Sequence, residues 1–272
     1  MMEYPEAVTV AKQVNEILAG ATIARAEREN SPHKWVFYSR PREDYETLLP
    51  GRRIKSASPA GSLVEFALSG GYVLQLGDGG VRILLHEAGA KLPAKYHLLL
   101  EFKDGRSLSL GVAGWGAARL LDAGQHRQYT ARDGGPSPVD ESLTARAFDE
   151  ALAGYTKPVK QFFVNRALVK GVGNGYLQDI LFRAGIHPAR KGNALTAAQR
   201  RQLFKAMRAV IAEGIAKGGR DDELDLLGRP GRYVRMLDKR TVGKPCRACG
   251  QKIEKMSFLG GTCCFCPRCQ AK

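Results

Sequence analysis

The first 245 residues contain no cysteine, and all six cysteines fall between Cys246 and Cys269. A disulfide-stapled extracellular chain spreads its cysteines through the fold, so crowding at one end points to a metal site in a reducing compartment. No apolar run approaches the roughly 20 residues a helix needs to span a bilayer. The opening Met1-Met2-Glu3-Tyr4-Pro5-Glu6 is acidic where a secretory leader is basic. These absences argue against membrane and secreted classes and lead to the expectation of a cytoplasmic, nucleoid-associated protein. Tryptophan is scarce, at two residues, yet 44% of the chain is hydrophobic and 25% charged, which suits folded cores rather than a disordered chain. Acid is short relative to base: 27 Asp and Glu stand against 42 Lys and Arg, a formal net charge of +15. An excess of that size attracts polyanions, nucleic acid foremost.

A length of 272 residues suits two domains with a small appendage. The first segment reads as a helix, with Pro5 in the first turn, Val8, Ala11, Val14, Ile17 and Leu18 at helical spacing, and Gly20 as the stop. From 21 to about 121 short alternating runs follow: 62–68, 72–76, 81–87, 96–102 and 107–112. Turn signals such as Gly77-Asp78-Gly79-Gly80 separate them. Several strands with tight turns imply a β-sandwich or barrel with the first helix beside it. The polar stretch 123–142 is taken as a boundary. Helical patterns occupy 144–154, 158–171, 176–185 and 196–218, with Thr196 as an N-cap and Gly218-Gly219 as a stop. An Arg- and Gly-rich loop, 219–242, leads into the cysteines. The expected domains are therefore 1–125, 140–235 and 242–272.

Cys246-x2-Cys249, sixteen residues, then Cys266-x2-Cys269 is the spacing of a four-thiolate zinc site. Lys244, Lys252 and Arg268 stand nearby and favour thiol deprotonation. Four protein ligands leave no open position, so one structural Zn2+ is expected, holding a hairpin over 251–265. Iron–sulfur or regulatory thiols are the alternatives, and Cys263 and Cys264 fall outside the spacing. In 160–188, two amphipathic segments flank Gly171-Val172-Gly173-Asn174-Gly175. Such a turn brings backbone close to a ligand and exposes amides at a helix N-terminus. Asn174 can donate to a phosphate, and Lys160 and Lys170 add charge. His86 and His97, on strands, read as structural, and 30-NSPHKW-35 is a candidate loop for stacking an unpaired base.

The 160–188 stretch with its GxGN turn, the finger ending Cys266-Pro267-Arg268-Cys269-Gln270, and the opening Glu3-Tyr4-Pro5-Glu6-Ala7 together resemble the formamidopyrimidine-DNA glycosylase/endonuclease VIII family. The resemblance spans nearly the whole chain. It implies an α+β multidomain fold: an N-terminal β-sandwich with a flanking helix, a helix–two-turns–helix domain, and a C-terminal four-cysteine zinc finger. It also implies a monomer that binds damaged or distorted double-stranded DNA between two domains, removes the lesion base, and cleaves the strand through a Schiff base. The family nucleophile is an N-terminal proline followed by a proton-shuttling Glu; here Met2 stands in the proline's place, which makes Met2, Glu3 and Glu6 the catalytic candidates.

Further departures from the pattern are expected. The GKY lysine aligns with Gly71, the finger arginine with Gly261, and the HLGMxG loop with 86-HEAGAK-91. The DxRxFG segment reads 111-GVAGWG-116, keeping an aromatic, Trp115, as a DNA contact. Met1 is expected to be retained, which moves the amine one residue out of register; a start at Met2 restores a primary amine of pKa about 8. Two readings follow, a damaged-DNA-binding protein whose catalysis is weak or lost and an active glycosylase/abasic-site lyase using the N-terminal amine and Glu3. A structured-RNA binder is a third.

Overall fold

The computed structural model describes residues 1–132, 135–164 and 168–272. The chain forms two compact units, one of residues 1–132 with 217–232 and one of 133–216 with 233–272. Among the described residues no helix is long and apolar enough to cross a membrane.

The first unit opens with α1 (Tyr4–Ile17). Glu3 is its N-cap, and the Glu3 amide donates to Glu6 Oε2 at 2.9 Å while the Glu3 carboxylate accepts the Glu6 amide, a reciprocal capping box. The strands and helices that follow are β1 (Ile23–Glu27), β2 (Val36–Tyr38), α2 (Arg42–Leu48), β3 (Ile54–Ala60), β4 (Leu63–Leu68), β5 (Val73–Gly77), β6 (Val81–His86), β7 (Leu98–Phe102), β8 (Ser107–Val112), β9 (Gly116–Leu121) and α3 (Ala123–Arg132). They build two sheets, β1-β7-β8-β6 and β2-β9-β5-β4-β3. The β2–β9 pair is parallel and every other neighbouring pair in these sheets is antiparallel. Alternation along the strands turns Val64, Phe66, Leu74 and Leu76 of one sheet, and Ile83, Leu98, Leu100, Leu108 and Leu110 of the other, into a single core with Val10 and Val14 of α1. Each such side chain contributes about 1.5–3 kcal/mol by leaving water.

Two expectations change here. The boundary stretch 123–142 begins with a helix, because Asp122 Oδ1 accepts the Gln125 amide at 2.9 Å and the Gln125 side chain accepts the Asp122 amide. That helix starts by capping rather than by apolar spacing, so periodicity did not reveal it. Residues 217–232, expected in the helical domain, pack with the sandwich: Leu226 enters its core, its carbonyl accepts the Leu85 amide, and Gln13 bonds Asp225.

The second unit holds α4 (Ala145–Ala153), α5 (Val159–Val164), α6 (Asn174–Ala184), α7 (Ala197–Ala216) and the hairpin β10 (Glu254–Phe258) and β11 (Gly261–Phe265). Thr196 caps α7 as expected, its hydroxyl accepting the Gln199 amide at 3.2 Å. The expected helix 158–171 is shorter: α5 ends at Val164, and residues 165–167 lie outside the described residues. Phe148, Phe162 and Phe163 make an aromatic core. Asp179 on α6 is fully buried and accepts from the Tyr233 hydroxyl and the Met236 and Leu237 amides, which ties 233–237 to the helix. Burial still pushes its carboxyl above the ordinary range. The finger, expected as a separate domain over 242–272, belongs to this unit. Gln178 of α6 accepts the Cys264 amide, and Gln270 donates to the Ile186 carbonyl at 2.9 Å.

Candidate nucleic-acid interface and N-terminal cluster

In the first unit α1 delivers Met2, Glu3 and Glu6 to one place. The Met2 side chain is 3% exposed and joins the sandwich core, while its main-chain nitrogen donates to the Gly79 carbonyl at 2.9 Å. Glu3 and Glu6 are buried around Arg220, whose guanidinium lies 3.2 Å from the Glu3 carboxylate and 3.5 Å from that of Glu6. Asp222 and Glu223 flank the same guanidinium at 3.6 and 3.5 Å, and it also donates to the Met1 carbonyl. The Arg220 amide reaches Glu6 Oε1 at 2.9 Å, and the Met1 ammonium meets Glu223. An arginine 1% exposed is tolerable only with such surroundings, because an unpaired buried charge costs several kcal/mol. Sequence reading missed Arg220: it stands in a loop rich in exposed charge, and nothing local signals its burial.

Gly80 closes the same corner from the other side. A Cβ there would stand 1.9 Å from the Ala113 carbonyl oxygen, so only glycine lets the 113–116 loop lie on the 77–80 loop. Trp115 packs over Gly79 and remains 37% exposed. His86 and His97 are satisfied structurally. His86 Nε2 is 2.7 Å from Ser109 Oγ, His97 Nδ1 accepts the Val112 amide at 3.0 Å, and burial lowers the pKa of both rings.

In the second unit two of the expected phosphate-binding residues converge on the hairpin. Asn174 is the first residue of α6, and its Nδ2 lies 2.8 Å from where a Cβ on Gly261 would stand; Lys160 Nζ lies 3.8 Å from that point. A side chain at 261 would have to push the Asn174 amide aside. Lys160 is buried and donates to the Phe258 carbonyl, so part of its bonding capacity is spent on the hairpin. Asn174 Oδ1 is buried with no hydrogen-bond partner among the described residues. Lys170 is half-buried; its amide donates to the Pro136 carbonyl at 3.2 Å.

The four cysteines Cys246, Cys249, Cys266 and Cys269 bring their Sγ atoms within 4.8 Å of one another, with Cys249–Cys266 at 3.4 Å and Cys246–Cys269 at 3.9 Å. Tetrahedral thiolates about 2.3 Å from a metal stand about 3.8 Å apart, so the four are positioned to bind one metal ion. The Gln251 amide holds the Cys249 thiol down to about 7. Cys263 and Cys264 are buried in β11 and outside this set.

Comparison with known proteins agrees with this arrangement. Residues 1–111 match the model of the formamidopyrimidine-DNA glycosylase N-terminal domain, and 135–223 that of the formamidopyrimidine-DNA glycosylase H2TH domain. A formamidopyrimidine-DNA glycosylase of Moorella thermoacetica is 35% identical over 264 residues, covering 94% of each chain. That of Chloroflexus aggregans is 31% identical over 278 residues, covering 99% of this chain and 98% of its own. The chain belongs to the formamidopyrimidine-DNA glycosylase family. Its fold is similar to that of a Lactococcus lactis Fpg solved in complex with DNA containing an abasic site, with a TM-score of 0.90, 27% identity, and coverage of 99% of this chain and 100% of that one.

Membership allows two of the expected departures to be placed on the fold, and both change. The HLGMxG loop was expected at 86–91, but β6 ends at His86, and only that histidine matches. The segment 75-QLGDGG-80 reproduces the leucine and both glycines at the same spacing and lies against the N-terminal segment through Gly79. Asp78 therefore stands in the methionine's place, buried and bonded to Ser62 Oγ at 2.8 Å, where it cannot serve as an apolar wedge. The GKY lysine was expected at Gly71, yet 69–71 is a turn between β4 and β5 rather than a strand. The strand β3 carries Lys55, exposed, in Arg53-Ile54-Lys55. A strand lysine is therefore present in this unit, although Ile54-Lys55-Ser56 shares only the lysine with the GKY pattern.

Proposed function

We propose that this chain binds damaged or distorted double-stranded DNA as a monomer, and that its glycosylase and lyase chemistry is weak or lost. The observation that carries the reading is Met2 in the place of the family's proline. A methionine nitrogen is an amide within the chain and a primary amine at its start, never proline's secondary amine, and the Met2 side chain is buried in the sandwich core. Imine formation needs an amine aligned within about 3–3.5 Å of the sugar carbon. The neighbouring Glu3 carboxylate is held by the Arg220 guanidinium and by the Glu6 amide.

Lys160, Lys170, Asn174 and the finger hairpin supply the phosphate contacts in this reading, and Trp115 the apolar contact beside the lesion. With the polar Asp78 and the small Ala113, which stands in the place of the arginine of the DxRxFG pattern, beside Trp115, discrimination is modest and favours abasic sites, mismatches and branched DNA, where unstacking costs least. One structural Zn2+ on Cys246, Cys249, Cys266 and Cys269 fits the sulfur geometry; it would fix the hairpin that presents Gly261 to Asn174.

The test is a pair of titrations, an intact duplex and the same duplex with one tetrahydrofuran abasic analogue, each at several salt concentrations, together with a strand-cleavage assay on a duplex carrying an oxidised base. Expected are binding that falls steeply with salt, a preference for the analogue, and negligible cleavage. Efficient excision of the oxidised base, lost in Glu3→Gln, would establish the active enzyme instead.

A further inference from the structure

The chain has two tryptophans, and both are exposed: Trp35 at 51% and Trp115 at 37%. With Phe37 at 46% they are the exposed Trp and Phe side chains among the described residues, and all three lie at one edge of the five-stranded sheet. β2 is the outermost strand, and its register pairs Val36 with Gly116, next to Trp115, while the Trp35 carbonyl accepts the Gly116 amide at 3.0 Å. Phe37 alternates with the buried Val36 on β2 and so faces away from the core, and Trp35, in the turn just before the strand, is exposed as well. Large aromatics left in water forgo the stabilisation that burial gives the other rings of this chain, so their collection at one edge calls for a partner.

The charges around the edge favour an anionic partner with flat, apolar faces. The Lys34 ammonium lies 5.2 Å from the centre of the Trp35 ring. Asn30 bonds Ala94 and Tyr96, which brings the exposed Lys95 beside the 30–35 loop. The acids nearby are engaged: Glu29 with Arg28 and the Tyr38 hydroxyl, and Asp78 with Ser62. We propose that Trp35 and Phe37, with Lys34 and Lys95, form a stacking platform for unpaired bases of single-stranded DNA, adjoining Trp115. Aromatic faces stack any base, and flanking lysines track the phosphates. The platform rests on the DNA-binding reading above and extends it to DNA with a single-stranded arm, such as a flap or a fork.

The two-tryptophan content makes this testable by intrinsic fluorescence. In Trp115→Phe the single remaining tryptophan is Trp35, and it is titrated with a dT12 oligonucleotide. Affinities of the wild-type chain, Trp35→Ala and Trp35→Phe are then compared on a blunt duplex and on the same duplex with a single-stranded arm. Expected are saturable quenching of Trp35 and a loss of roughly five- to 150-fold in affinity for the armed duplex in Trp35→Ala. Partial rescue by Trp35→Phe and blunt-duplex binding within about twofold of wild type are expected alongside. Unquenched Trp35 emission, or equal loss on both duplexes, with blunt-duplex binding intact in the wild type, overturns the platform and leaves the DNA-binding reading standing. No binding of either duplex by the wild type overturns that reading itself. A Trp35 emission shift that follows protein concentration without DNA would mark the edge as a self-association face and also overturn the proposal.

Discussion

The two units handle buried charge in opposite ways. In the first, Arg220 draws Glu3, Glu6, Asp222 and Glu223 around itself, so the catalytic candidates Glu3 and Glu6 are held in a buried ionic cluster. In the second, Lys160 and Asn174 are carried to the glycine gap at 261, where the buried Asn174 Oδ1 lacks a partner among the described residues. One site turns its charges inward on a single buried arginine, whereas the other gathers donors, the Asn174 Nδ2 and the Lys160 ammonium, at the hairpin. A chain that keeps its DNA-gripping parts and closes its reactive corner should hold a damaged duplex without cutting it.

The largest expected effect falls on the second unit. Removing the metal with a chelator, or replacing a ligand by Cys266→Ser, should disorder the hairpin and take the Gly261–Asn174 contact with it. Structural four-ligand zinc sites contribute about 10–16 kcal/mol in isolated finger peptides. Metal analysis should return one equivalent of zinc per chain and DNA affinity should collapse, while the sandwich core, followed by hydrogen exchange of its strand amides, stays protected. Iron, or no metal, in the purified chain would break this half of the comparison.

Next in size is the cluster itself. Arg220→Met removes the shared counter-ion and leaves Glu3 and Glu6 buried together, which should cost about 3–5 kcal/mol in denaturant unfolding. A triple variant with Glu3→Gln and Glu6→Gln should recover part of that loss. A single substitution that costs less than about 1 kcal/mol would mean the corner is solvated and open rather than closed. Asp179→Asn, which sets an amide against the Met236 and Leu237 donors, should cost about 1–3 kcal/mol by the same unfolding measurement.

Much of this organisation was legible in the sequence, and the parts that were not share a cause. The strands β4 to β8, the capped start of α7 and the cysteine quartet are encoded locally, in alternation, a Thr-x-x-Gln cap and a fixed ligand spacing. Arg220 became a core residue through contacts with residues more than two hundred positions away, which no window reveals. The loop 75–80 was misplaced because its histidine and methionine had changed. What persisted was the glycine spacing, whose requirement is visible only once the Ala113 carbonyl is seen against Gly80. α3 was missed because capping by Asp122, not apolar periodicity, starts it.

The smallest expected effect sharpens the second unit's role. Asn174→Ala should weaken intact and lesion-bearing duplexes by a similar factor, on the order of tenfold, because a phosphate contact carries no base information. A loss confined to the lesion duplex would move Asn174 from gripping the backbone to reading the damage.

Borohydride trapping on an abasic-site duplex tests most directly the central claim, that gripping is kept and chemistry is lost, because reduction makes any imine between chain and sugar permanent and countable. The chain beginning at Met1, the chain beginning at Met2, and a chain beginning at residue 2 with Met2→Pro are compared at protein concentrations that saturate the duplex. The expected result is a bound duplex with negligible covalent adduct for the Met1 form, and an adduct that grows when proline is restored. Efficient trapping by the Met1 form, abolished by Glu3→Gln, would contradict it.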